Sequence, residues 1–170
     1  ADWPEVLELA RNHAWVWPSL GLHPWDVGNA SPAWRETLRR ELTENPRAAV
    51  GEIGLDRWML ERARPDDARL TGLRRASMPE QINALRAQLA LAAELGRPAT
   101  LHCLDAAGAL LEVLRESPRI ERGFLLHAYS GAAEMVPAFA DLGAYFSFNG
   151  SFLDPRQSAR QRVFRLIPED

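Results

Sequence analysis

Residues 48–53 read Ala-Ala-Val-Gly-Glu-Ile, a short apolar run that predicts a buried strand ending near Glu52. Two later runs have the same form: 99–103, which contains His102, and 124–127, which ends at His127. Apolar residues at helical spacing separate these runs. Strands that alternate with helices indicate parallel pairing, so the pattern predicts an α/β fold.

The whole chain continues this alternation. Strands are predicted at 14–22, 48–53, 99–103, 124–127 and 144–148. Helices are predicted after Asp2, around 34–42, after the capping-box sequence Ser77-Met78-Pro79-Glu80, around 110–114, around 135–142 and over 154–166. The segment 57–75, with six Arg and three acidic residues, predicts an exposed and partly helical loop.

Two architectures fit five strands with flanking helices: an open doubly wound sheet, or part of a (β/α)₈ barrel. A closed barrel takes about 250 residues and rarely fewer than about 200. The 170 residues of this sequence therefore exclude a complete barrel.

Composition excludes several functional classes. The residues are 46% hydrophobic and 25% charged, with a formal net charge of −3, which is typical of a soluble globular protein without a global basic field. The single cysteine, Cys103, excludes an internal disulfide framework and fits a reducing compartment. No membrane-spanning run or signal peptide is apparent. These features predict a cytoplasmic protein that does not contact membranes.

Candidate catalytic residues recur where the predicted strands end. His23 follows the first strand, Glu52 the second, His102 the third and His127 the fourth. In parallel α/β folds these ends share one face, where active sites gather. Imidazole and carboxylate groups suit Zn²⁺ or a similar divalent ion, which could lower the pKa of a bound water. The pattern alone leaves open a metal site or hydrogen-bonded structural residues.

Other residues have two interpretations each. Cys103 follows His102 and would face the opposite side of a strand, as a small core residue rather than a nucleophile. Trp25 and Trp58 either pack or line a cleft. The net +3 charge of segment 57–75 either attracts phosphate or belongs to a solvated surface loop.

Five motifs occur in a recognisable order. They are Gly21-Leu22-His23-Pro24, Gly51-Glu52-Ile53-Gly54-Leu55-Asp56, Leu101-His102-Cys103, Leu126-His127-Ala128-Tyr129-Ser130-Gly131 and Tyr145-Phe146-Ser147-Phe148-Asn149-Gly150. In this order they resemble the TatD family of metal-dependent hydrolases and deoxyribonucleases, over nearly the whole chain.

The resemblance implies a distorted (β/α)₈ barrel with one or two divalent ions (Zn, Mg or Mn) at the strand ends. Glu52 matches the metal-bridging, catalytic glutamate, and His102 and His127 match two further metal ligands. His23, with Ser130 and Gly131, matches residues beside the substrate. The implied activity is hydrolysis of phosphodiester bonds, at DNA ends, by a metal-activated water.

The sequence also departs from the family pattern. No His-x-His precedes Ala1, Asp170 does not correspond to the aspartate of the family's Glu-Thr-Asp motif, and Leu104 stands where an arginine is common. The expectation is therefore one incomplete barrel domain over 1–170 that holds one ion instead of two. The alternative is a truncated, catalytically silent scaffold. Open strand edges further predict self-association.

Overall fold

The computed structural model describes residues 2–157 and 161–168, and it contains one five-stranded parallel sheet. The strands are β1 (Ser19–Leu20), β2 (Ala49–Asp56), β3 (Ala99–Leu104), β4 (Phe124–Leu126) and β5 (Ala144–Phe146). Their order in the sheet is β1-β2-β3-β4-β5, the same as their order in the chain.

Helices connect these strands. They are α1 (Trp3–Asn12), α2 (Trp34–Glu44), α3 (Trp58–Glu61), α4 (Met78–Glu94), α5 (Ala107–Glu116) and α6 (Val136–Ala140). Short 3₁₀ turns lie at Val27–Asn29, Ala68–Leu70, Ala133–Met135, Gly150–Leu153, Pro155–Gln157 and Arg162–Leu166. Among residues 2–157 and 161–168, no helix has both the length and the apolar character that crossing a bilayer requires.

Strand order distinguishes between the two predicted architectures. A doubly wound sheet reverses its strand order at a switch point, whereas a (β/α) barrel wall adds each strand beside the previous one. The sequential order of these five strands is that of a barrel wall. The prediction of a partial (β/α)₈ barrel with about five parallel strands is therefore confirmed.

The first strand is much shorter than predicted over 14–22. Only Ser19–Leu20 pairs with β2. The preceding carbonyls of Ala14 and Val16 instead accept hydrogen bonds from Arg47, whose guanidinium lies 4.5 Å from the ring of Trp17. A side chain thus takes the carbonyls that a longer strand would have offered to the sheet.

The helix predicted over 154–166 falls in its middle on residues 158–160, which lie outside the described residues. On either side the structure has 3₁₀ turns, at Pro155–Gln157 and Arg162–Leu166. The carboxylate of Asp154 accepts hydrogen bonds from the backbone N–H and the guanidinium of Arg156. Such local side-chain bonds close a turn and compete with the backbone bonds of an α-helix.

The helix predicted around 135–142 is present only in part. Pro137 lies in the first turn of α6, where its missing N–H costs nothing, so the helix starts late and a 3₁₀ turn precedes it. The other predicted helices agree with α1, α2, α4 and α5, and the predicted capping box of Ser77 and Glu80 is present.

Helix α4 holds the sheet through two buried glutamines. The Gln88 amide accepts a hydrogen bond from Leu22 N–H at 2.6 Å and donates to Leu22 O at 3.2 Å. The Gln81 amide accepts from Asp56 N–H at 2.8 Å and donates to Asp56 O at 3.2 Å. Both glutamines are almost fully buried, so these bonds replace water for backbone groups at the ends of two strands.

We predict that Gln88→Leu lowers the free energy of unfolding by about 1–3 kcal/mol, since it leaves the buried N–H of Leu22 without a partner. Urea unfolding followed by circular dichroism measures this. The matched control is Asn83→Leu, an exposed position on the same helix, which should change stability by less than about 0.5 kcal/mol. Equal stability of the two variants would contradict the prediction.

Candidate functional site

An open cavity of about 420 Å³ lies at the carboxyl end of the sheet. Residues from β2, β3, the turn after β4 and the segment after β5 line it: Glu52, His102, Cys103, Leu104, His127, Ala128, Ser130, Asn149, Ser151 and Phe152. Three of the four residues predicted at strand ends thus share one cavity, Glu52, His102 and His127, together with Ser130; His23 is not among the lining residues.

The close approach of β2 to β3 positions the centre of the site. Gly54 pairs with His102, and a Cβ atom on Gly54 would lie only 1.9 Å from the carbonyl oxygen of His102. The φ of Gly54 is +148°, which side chains rarely adopt. Glycine is therefore required here, and it lets the flanking carboxylates of Glu52 and Asp56 reach the imidazole of His102.

His102 lies between two carboxylates. Its Nδ1 is 3.3 Å from Glu52 Oε1 and its Nε2 is 3.0 Å from Asp56 Oδ2. Burial lowers the pKa of His102, but the hydrogen bonds to Asp56 and Glu52 outweigh it and raise the pKa to about 9. Without a cation, His102 is therefore an imidazolium at neutral pH.

The two carboxylates remain ionised although burial opposes it. Burial raises the pKa of Glu52, but the hydrogen bond and charge of His102 lower it below the usual value. Burial likewise raises the pKa of Asp56, and hydrogen bonds from His102, Met59 and Trp25 lower it further than burial raises it. The centre of the site is thus a carboxylate–imidazolium–carboxylate array in which Asp56 is buried and Glu52 and His102 are half-buried.

His23 packs on the outer side of His102, with the two rings edge to face at 4.6 Å between centroids. Its Nδ1 accepts the backbone N–H of Trp25 at 3.2 Å. Burial and the neighbouring charge of His102 lower the pKa of His23, so its ring is neutral at neutral pH. With Nδ1 accepting, the single proton of this ring belongs on Nε2.

The donor atoms fit a divalent cation. One donor atom each from His23, Glu52 and His102 lie within 4.8 Å of one another. Two ligand atoms about 2.1 Å from a tetrahedral Zn²⁺ are about 3.4 Å apart. The 3.3 Å between His102 Nδ1 and Glu52 Oε1 matches that spacing.

The other two predicted site residues, His127 and Gly131, differ in how exposed they are. The side chain of His127 is exposed, in the turn after β4, and its backbone N–H bonds to Leu101 O at 2.9 Å. It lines the cavity but is not in the three-residue donor group found among the described residues. Gly131 packs on the ring of Tyr129, where a Cβ would lie 2.6 Å from the hydroxyl oxygen.

Cys103 is a core residue rather than a nucleophile, and the arginine-rich segment 57–75 is a surface loop whose arginines are paired. Cys103 packs against the core although it also reaches the cavity wall, and burial raises the pKa of its thiol to about 12. All six arginines of 57–75 contact acids or carbonyl oxygens: Arg57–Glu61, Arg62–Asp105, Arg64–Asp66, Arg69–Asp67, Arg74–Glu80, and Arg75 with Ala63 O and Arg64 O.

The two tryptophans near the site pack rather than form an open platform. Trp25 and Trp58 stack at 6.3 Å, and the guanidinium of Arg69 covers Trp58 at 4.5 Å. They belong to a small second core with Met59, Ala63 and Leu70.

Asp56 is the site residue that the sequence analysis missed. The predicted strand ended at Ile53, whereas β2 continues to Asp56 and pairs Asp56 with Leu104. The signal was the two-residue spacing of Glu52, Gly54 and Asp56, which places all three on one face of a continuing strand.

A partial parallel barrel with carboxylate and imidazole side chains at its strand ends defines the class of the protein as a (β/α)-barrel protein with its candidate site at the carboxyl end of the sheet. Residues 1–170 match the family model described as "TatD related DNase". The chain belongs to this family.

Curated relatives carry the name 3'-5' ssDNA/RNA exonuclease TatD. The protein from Klebsiella pneumoniae (strain 342) is 34% identical over 96% of this chain and 56% of its own length. That from Erwinia amylovora is 36% identical over 98% of this chain and 60% of its own length. The chain therefore spans less than two thirds of the length of each of these relatives.

Solved structures agree on the fold. The crystal structure of YJJV, a TatD homologue from Escherichia coli K12, has a TM-score of 0.80 and 29% identity, covering 98% of this chain and 60% of that one. A TatD family hydrolase from Entamoeba histolytica has a TM-score of 0.75 at 18% identity, over 98% of this chain and 54% of that one, and supports the fold alone.

We predict that the metal-free protein loses stability as the pH rises from 6.5 to 9. The folded state raises the pKa of His102 to about 9, so the stabilisation is complete below pH 6.5 and disappears as the pH rises through 9. The expected loss is of the order of 3 kcal/mol. Urea unfolding in EDTA at several pH values measures it.

The control for this prediction is His102→Gln, which should flatten the pH dependence between 6.5 and 9. His13→Gln, at an exposed position, should leave it unchanged. An unchanged slope in the His102 variant would show that another group titrates.

Proposed function

We propose that this chain provides the catalytic centre of a metal-dependent nuclease that hydrolyses phosphodiester bonds at the ends of single-stranded nucleic acid. The observation that carries the proposal is the pair of donor atoms His102 Nδ1 and Glu52 Oε1, 3.3 Å apart, in a cavity that His127 also lines. The names of the relatives, ssDNA/RNA exonucleases, support the substrate class.

Glu52 and His102 would hold the cation, with His127, which lines the same cavity, as the third ligand. Two imidazoles and one carboxylate form a donor set that suits Zn²⁺ or Mn²⁺ better than Mg²⁺, which prefers oxygen ligands. A divalent cation bound there would supply Lewis-acid activation of water and of a phosphoryl oxygen.

His23 would face the substrate rather than the cation. Its Nδ1 is already engaged by the N–H of Trp25, so its Nε2–H remains as a hydrogen-bond donor. A neutral donor beside His102 can bind a non-bridging phosphate oxygen. Ser130, which lines the same cavity, adds a hydroxyl donor, and Gly131 would keep the turn against Tyr129.

The surroundings of the site also bear on its partners. Because the arginines of 57–75 are paired locally, we assign phosphate binding to His23 and Ser130 instead of that segment.

β1 and β5 each pair with one neighbour in the described sheet, which supports self-association through strand edges. A cytoplasmic location is proposed from the single, unpaired Cys103.

The first test is nuclease activity. With Mg²⁺, Mn²⁺ or Zn²⁺, the protein should shorten single-stranded DNA labelled at its 5' end from the 3' end. Glu52→Gln should lower the rate by about 100-fold or more, because it removes a charged cation ligand. Glu121→Gln, at an exposed position, is the matched control and should keep full activity.

Inactivity of the unaltered protein with every metal would contradict the proposal and favour the alternative, a catalytically silent scaffold. Equal activity of Glu52→Gln and Glu121→Gln would remove Glu52 from the reaction.

The second test identifies the ligands by calorimetric titration with Zn²⁺ or Mn²⁺. Glu52→Ala and His127→Ala should weaken binding by about 10-fold or more, whereas His23→Ala should change it by less than about 3-fold. The reverse ranking of the two histidine variants would make His23 the third ligand. Identical weak binding by all proteins would contradict a built metal site.

A further inference from the structure

Asp56 is a buried carboxylate directly behind the proposed cation ligands. It has no solvent-exposed surface, and it is the last residue of β2. An ionised carboxylate in such a place must be fully hydrogen-bonded, because burial of an unpaired charge is costly. Its partners therefore indicate what the residue does.

Three groups surround the Asp56 carboxylate. Its Oδ1 accepts the backbone N–H of Met59 at 2.8 Å. Its Oδ2 accepts the indole N–H of Trp25 at 2.6 Å and lies 3.0 Å from Nε2 of His102. The backbone of Asp56 is fixed in turn by Gln81. The carboxylate thus has a single position relative to His102.

An ionised carboxylate can only accept, so a hydrogen bond at this distance requires a proton on His102 Nε2. The other ring nitrogen, Nδ1, faces Glu52 Oε1 at 3.3 Å. When a cation takes the place of the proton between Nδ1 and Glu52, the remaining proton is the one on Nε2, where the distance is shorter and the accepting carboxylate is fully buried. The lone pair of Nδ1 is then directed at the position beside Glu52.

We propose that Asp56 is a positioning residue that keeps the proton of His102 on Nε2, so that Nδ1 is the atom offered to a divalent cation. This inference rests on the proposed function. Carboxylates behind metal-binding histidines fix the tautomer and raise the basicity of the ligand atom, and their loss costs about 10–100-fold in metal affinity.

Trp25 links this arrangement to the substrate side of the site. Its indole N–H binds Asp56, and its backbone N–H binds Nδ1 of His23. Trp25 therefore helps to orient both imidazole rings, which present different groups. His102 presents a lone pair from Nδ1, and His23 presents a proton from Nε2.

The first experiment measures Zn²⁺ affinity of Asp56→Asn by calorimetry. Titrations in several buffers and at several pH values measure how many protons His102 releases when Zn²⁺ binds. The affinities are then corrected to the site with His102 singly protonated. Asp56→Asn should bind about 10-fold or more weakly. The matched control is Asp105→Asn in the loop after β3, where Asp105 pairs with Arg62 instead of His102. It should bind within about 2-fold of the unaltered protein.

The second experiment reads the tautomer directly from the ¹⁵N shifts of the imidazole rings in the Zn²⁺-loaded protein. The unaltered protein should show His102 with a protonated Nε2 and a coordinated Nδ1. In Asp56→Asn, the remaining proton of His102 should no longer be confined to Nε2. Coordination through Nε2 in the unaltered protein would overturn the proposal.

Thermal unfolding of each variant checks the fold. If Asp56→Asn does not fold, Trp25→Phe replaces it, because it removes only the indole donor to Asp56 and keeps the backbone N–H for His23. It should weaken Zn²⁺ binding in the same direction by a smaller factor. Zn²⁺ binding by Asp56→Asn equal to that of the unaltered protein overturns this inference alone, whereas failure of the unaltered protein to bind Zn²⁺ overturns the proposed function.

Discussion

The close contact between β2 and β3 at Gly54 is the constraint on which the site depends. Only a residue without a side chain lets the two strands approach there, and this approach brings Glu52 and Asp56 to opposite ring nitrogens of His102. The resulting array carries two negative charges and one positive charge in the absence of a cation. A site with this excess negative charge is stabilised when a divalent ion replaces one proton.

The helix packed on the sheet supports this arrangement from behind. Gln81 fixes the backbone of Asp56 and Gln88 fixes Leu22, the residue before His23. Two side chains on one face of α4 thereby set the ends of the strands that carry the site. The positions of Glu52 and His102 follow from hydrogen bonds between paired strands rather than from loops, which is the condition for a preorganised site.

Much of the fold could be predicted because alternating apolar runs determine parallel strands with little ambiguity. The residues Glu52, His102 and His127 were found because each ends such a run. Asp56 was missed because a glycine after Ile53 resembles the end of a strand, whereas here it permits closer pairing. The strand over 14–22 is shorter than predicted because the side chain of Arg47, distant in the sequence, binds the carbonyls of Ala14 and Val16, and apolar spacing does not report such bonds.

The two glutamines of α4 have a consequence for how the protein responds to acid and base. An amide neither gains nor loses a proton over the range in which imidazoles and carboxylates titrate. The bonds to Leu22 and Asp56 therefore persist while the charge on His102 and His23 changes. A change of pH therefore alters the charge at the centre of the site, while the amide contacts that hold Leu22 and Asp56 to α4 keep the same charge.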